Sequence, residues 1–196
     1  ITIDTENDIT LSTRCFSSMS ALKNVTIKAK SITIQGSVFR NCENLENITL
    51  TGSVTFTGGS DSGYNFSNCP KLNMVKFNND VTFKDANNFT STTFSTASSA
   101  NVTFNGAITN ANTVFSACNL KDLNLNGSGN TLTNSFLENT TITNLNVNAA
   151  TTFGKKALYY SENTGVITNF NINGALNEAL TTTFEQYAIY SFSRDY

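Results

Sequence analysis

The chain has 196 residues, a formal charge of −2 and only 13% charged residues. That balance argues against nucleic acid or lipid headgroups as partners, because both need a basic patch. No run approaches the roughly 18 apolar residues of a membrane span, and the chain has no His to serve as base for a Ser or Cys nucleophile.

One Pro, eleven Gly and an excess of Asn, Thr and Ser point to strands and turns. Fifteen Phe with regularly placed Ile, Leu and Val indicate that each segment buries something. No n-region or h-region of a signal peptide is present, and Ile1-Thr-Ile3 reads as the end of an earlier repeat. No linker or composition break divides the chain, so it is expected to be a single domain over 1–196, a piece of a longer protein.

In chain order, aromatic anchors recur at Phe16, Phe39, Phe66, Phe94, Phe115, Phe136, Tyr160 and Phe184, about 24 residues apart on average. Self-similarity at such a period marks stacked-repeat architectures. Three residues past the anchor stand Met19, Cys42, Cys69, Ala97, Cys118, Asn139 and Asn163. An apolar-polar-apolar triplet follows: Val25-Thr-Ile27, Ile48-Thr-Leu50, Val75-Lys-Phe77, Val102-Thr-Phe104, Leu123-Asn-Leu125, Leu145-Asn-Val147 and Phe170-Asn-Ile172. This is the period of a half-buried strand, with its outer residues inward and its middle residue outward.

A turn comes next, at Thr51-Gly52, Asn78-Asn79, Asn105-Gly106 and Asn126-Gly127. Asn and Gly tolerate positive φ, so left-handed backbone is expected there. A second alternation follows at Ile9-Thr-Leu11, Ile32-Thr-Ile34, Val54-Thr-Phe56 and Val81-Thr-Phe83, fades to Ile108 and Leu132, and has no clear copy after Phe153. Residues 57–65 and 84–93 read as insertions that loop out. A segment this short cannot bury its own apolar face, but stacking on like neighbours can, at roughly 1.5–3 kcal/mol per buried Leu, Ile or Phe.

The motif Phe39-x-x-Cys42-x-x-Leu45-x-x-Ile48-x-Leu50, repeated at Phe66-x-x-Cys69-x-x-Leu72-x-x-Val75-x-Phe77, resembles the BspA-like (treponemal-type) leucine-rich repeat. The likeness covers residues 1 to about 174, and Asn or Thr stands where that family has Pro after the main strand. The resemblance implies a mainly β, right-handed solenoid of about eight stacked repeats with a parallel sheet on its concave face. It also implies an extracellular or cell-surface, non-enzymatic module that binds proteins in adhesion, possible ligands being host matrix proteins or a glycan.

Candidate chemistry is sparse. Zinc thiolates come as C-x2–4-C pairs, whereas Cys15, Cys42, Cys69 and Cys118 are widely spaced, so four free buried thiols and no metal or cofactor are expected. The acids form no column at one repeat position, although a β-helix carbohydrate-active enzyme would need them converging, and a structural spacer is a further alternative. The outward column Thr26, Thr49, Lys76, Thr103, Asn124, Asn146 and Asn171 is the candidate binding face. Asp61 and Tyr64 of the first insertion are a second candidate contact. Sequons include those that start at Asn24, Asn47, Asn65, Asn88, Asn101 and Asn139.

Overall fold

In the computed structural model, residues 1–58, 64–97, 99–110, 113–133, 135–160, 165–173 and 182–191 are described. The described elements are eighteen strands and no helix. They form three files, each strand hydrogen-bonded in parallel to its counterpart in the next coil.

The first file holds β1 (Thr2–Asp4), β3 (Asn24–Gln35), β4 (Asn47–Gly58), β5 (Met74–Phe77), β7 (Asn101–Phe104), β10 (Asn119–Leu125), β13 (Thr141–Val147) and β16 (Ile167–Ile172). The second holds β2 (Ile9–Leu11), the later halves of β3 and β4, β6 (Val81–Phe83), β8 (Ile108–Asn110), β11 (Asn130–Leu132), β14 (Thr151–Phe153) and β17 (Thr183–Phe184). Short pairs at the corner make the third: β9 (Phe115–Ser116) with β12 (Leu137–Glu138), and β15 (Leu158–Tyr160) with β18 (Ile189–Ser191). Eight rungs in the first file correspond to about seven full turns of a parallel β-solenoid.

The triplets direct the packing. In β5 and β7 the apolar residues are buried and the middle residue is half-exposed. Equivalent side chains then lie over one another. Phe56 stacks on Phe83 at 4.7 Å with rings 9° apart, and Phe77 on Phe104 at 4.8 Å and 7°. Those separations match the roughly 4.8 Å spacing between hydrogen-bonded strands. Between files the rings meet edge-on, as Phe56 does Phe77 at 76°, the other favoured aromatic geometry. Stability therefore accumulates over interfaces between coils.

The anchor column departs from the spacing. Phe16, Phe39 and Phe66 stack in turn, but the next ring is Phe89, 4.6 Å from Phe66 and 4.6 Å from Phe115. Phe94 packs beside Phe89 instead. Residues 84–93 thus do not loop out: Asn88, Phe89 and Thr93 are fully buried and build the next corner. Farther on, Phe115 pairs with Leu137, not Phe136, Leu158 takes the place expected for Tyr160, and Phe184 pairs with Phe153 in the second file.

Positive φ also falls elsewhere than expected. It marks the corner residue before the Cys position, at Ser18, Asn41, Asn68, Ala117 and Asn139. In the turn after the main strand it occurs at Gly52 (φ 122°), and β3 and β4 run through that turn as unbroken twelve-residue strands. Gly106 and Gly127 are needed for space: a Cβ on Gly106 would overlap the Asn79 backbone, and one on Gly127 the Gly106 backbone.

All four cysteines are free. Cys42 and Cys69 donate their thiols to the carbonyls of Phe16 and Phe39, each at 3.1 Å, and Cys118 to that of Thr90 at 3.2 Å. Thr93 does the same to Phe66 at 2.7 Å. The column is a set of small buried donors that bind one coil's corner to the next. Cys15 lies outside it and is exposed, contrary to the expectation of buried thiols throughout.

Candidate functional site

The expected face forms as one continuous column. Thr26 pairs with Thr49, Thr49 with Lys76, Lys76 with Thr103, Thr103 with Asn124, Asn124 with Asn146, and Asn146 with Asn171. Lys76 makes no hydrogen bond or ion pair among the described residues. It sits in a shallow depression of about 480 Å³, whose lining includes Met74, Ser99, Thr103, Asn105 and Asn126.

Toward the C-terminal coils this face becomes an ordered amide array. In the central rank Asn171 Nδ2 donates to Asn146 Oδ1 at 2.8 Å, and Asn146 Nδ2 to Asn124 Oδ1 at 2.9 Å. Asn124 Nδ2 then reaches Asn101 Oδ1 at 3.2 Å and Thr103 Oγ1 at 3.3 Å. Two residues earlier along the strands, Asn169 donates to Asn144 and Asn144 to Asp122 Oδ1 at 2.7 Å. Two residues later, a rank runs from Asn173 through Asn148, Asn126 and Asn105 to Asn78, ending on Thr51 Oγ1.

Every bond of the central and later ranks points toward the N-terminal coil. Apart from Asn124, whose Nδ2 reaches two acceptors, each amide uses one N–H along its rank, which leaves a second N–H and an oxygen lone pair for a ligand. Because the rank fixes the amide plane, little side-chain entropy remains to be lost on binding. Asp122 is the carboxylate within the array, and both its oxygens accept amide N–H groups, from Asn144 and, at 3.5 Å, from Asn101.

Tyr64 is exposed and lies elsewhere in the coil, at the start of the Phe66 corner, with its N–H bonded to Asn87 O. Asp61 falls outside the described residues. Asn65 and Asn88 are buried: Asn65 Oδ1 accepts from Val38 N–H at 2.9 Å, and Asn65 Nδ2 donates to Asn88 Oδ1 at 2.9 Å. Burial pushes the Cys69 thiol up to about 12 and raises Cys118 further, so neither is a nucleophile near neutral pH. No group of three or more potential metal ligands occurs among the described residues.

One feature lies outside the expected column. On the second file, Thr10, Thr33, Thr55, Thr82, Thr109, Thr131, Thr152 and Thr183 are in register without a break. The apolar flanks of the triplet fade after Ile108 because Asn110, Asn130 and Thr151 replace apolar residues in the core. Each is hydrogen-bonded there, as Asn130 Oδ1 is to Ile108 N–H at 3.0 Å. The middle threonine persists, and that column was the available sequence signal.

No curated protein and no solved structure matches this chain. A model of the BspA type leucine rich repeat region, with six copies, matches residues 1–110 and 87–193. With the cysteine corner, the parallel files and that match in agreement, the chain belongs to the BspA-type leucine-rich-repeat family, whose repeats are generally non-enzymatic interaction modules.

Proposed function

We propose that residues 1–196 form a single non-enzymatic binding module of a cell-surface or secreted protein, which engages another protein in adhesion through the first sheet face. The observation that carries this reading is Lys76, a cation without a partner among the described residues, set in a depression at the third of seven positions in a column of aligned polar side chains. A mostly neutral face recognises its partner by shape and hydrogen bonds, and Lys76 adds a point of charge complementarity.

The test is retention of soluble extracellular-matrix proteins on the immobilised chain. The wild type retains a defined protein, and Lys76→Glu combined with Asn124→Ala lowers its retention at least tenfold. Equal retention by the two would remove this face from the binding role and favour a spacer. The enzyme alternative has little support, since the array's carboxylate, Asp122, has both oxygens capped by amides.

A further inference from the structure

We propose that the threonine file is a second binding site, distinct from the Lys76 face, which takes a neutral linear β-1,4-linked polysaccharide lying along the solenoid axis. Eight threonines span seven coil spacings, roughly 34 Å at about 4.8 Å each. None of their hydroxyls makes a hydrogen bond among the described residues. Each is both donor and acceptor, and each carries a methyl group that suits the C–H faces of a sugar ring.

Identical groups in a straight file can all be used at once only by a ligand that itself repeats near the coil spacing. An extended peptide repeats its same-face groups every ~6.7 Å, out of step with the coils. A nucleic acid would need cations, and the file has none. Charges beside the file are few and of mixed sign: Asp8 and Asp80 turn their carboxylates to Ser31 Oγ and to Ala107 N–H, each at 2.8 Å, and Lys84 and Glu185 stand two residues past Thr82 and Thr183. Beside the central and later threonines stand the small neutral residues Ala107, Gly129 and Ala150.

The regularity is also one-dimensional. The residues flanking Thr55, Thr82 and Thr109 differ from coil to coil, so no second row of hydroxyls runs alongside. A crystalline surface such as ice needs order in two directions, whereas a single polymer chain needs it in one. An extended β-1,4-linked pyranose chain advances by close to one coil spacing per ring and offers hydroxyls on both edges.

The experiment measures retention of the full chain on insoluble cellulose and chitin, and calorimetric binding of the corresponding disaccharides and hexasaccharides. The chain is retained on one of the two polymers, and the matching hexasaccharide binds at least tenfold more tightly than the disaccharide. Thr82→Val, Thr109→Val and Thr131→Val together preserve shape and remove three hydroxyls; they weaken the hexasaccharide at least tenfold without lowering the melting temperature. Lys76→Glu leaves glycan binding unchanged, which separates this site from the protein-binding face. Retention on neither polymer, equal affinity for short and long oligosaccharides, or full binding by the valine variant would overturn the proposal. Inhibition of ice growth without glycan retention would overturn it as well.

Discussion

Asn65→Ala separates buried polar bonds from those on the face. Asn65 is fully buried, and its amide joins two other buried groups, the Val38 N–H and the Asn88 side-chain oxygen Oδ1, each at 2.9 Å. Truncation leaves both without a partner and out of water. An orphaned buried polar group costs about 1–3 kcal/mol, so the pair sums to about 2–6 kcal/mol. With a urea m-value of about 2 kcal/mol/M, the midpoint falls by about 1–3 M.

Asn124→Ala is the matched control. It also removes ladder bonds, to Asn101 and Thr103, but on a half-exposed surface where water replaces them. Its loss stays within about 0.5 kcal/mol. Urea unfolding followed by circular dichroism reads both variants. Equal shifts for the two, or a shift under 0.5 M for Asn65→Ala, would refute the argument that the corner amides are structural and the face amides are free for binding.

Other outcomes follow from single residues. Gly52→Ala places a Cβ against Ala29 O at φ 122° and costs about 2–4 kcal/mol, whereas Gly129→Ala, at φ 84° in open space, costs about 1 kcal/mol; thermal melts compare them. Burial raises the Cys69 thiol from 9.0 to about 12, so its contribution is complete below pH 9 and is lost as pH rises toward 12. At pH 10 the loss is about 1.4 kcal/mol, and Cys69→Ala flattens that alkaline slope. Burial likewise raises the Asp85 carboxyl above its usual range. The folded state therefore favours the neutral acid, and Asp85→Asn raises the melting temperature at pH 7 but not at pH 3, where the wild type is already protonated.

Much of the fold was legible because the triplet code is local. Val25-Thr-Ile27, Ile48-Thr-Leu50 and Val102-Thr-Phe104 form strands in the expected register since alternation alone decides which side faces the core. Anchor identity was less legible. Phe89 and Phe94 are both buried, and spacing cannot say which ring joins the stack.

The Cys column was hidden in the fourth coil because Thr93 makes the same bond to a preceding carbonyl with a different atom. At the sixth coil Asn139 has the left-handed backbone of Asn41 and Asn68, so Thr140, not Asn139, stands at the Cys position. On the candidate face, the column was readable one residue at a time. Its ladders were not, because amide-to-amide bonds depend on which coils become neighbours. The threonine file is hard to read for a related reason: the core side of its later strands exchanges apolar residues for satisfied polar ones, which breaks the alternation.

The central claim is that each coil sits directly on the one before. Spin labels test it in a Cys15→Ser background, with Thr10→Cys paired in turn with Thr109→Cys, Thr131→Cys, Thr152→Cys and Thr183→Cys. The register puts these positions four, five, six and seven coils from Thr10. Electron–electron distances should rise in equal steps, from roughly 19 Å to roughly 34 Å, by about 4.8 Å per coil. Distances that fail to grow with coil number, or that fold back as in two sheets packed face to face, would contradict the account.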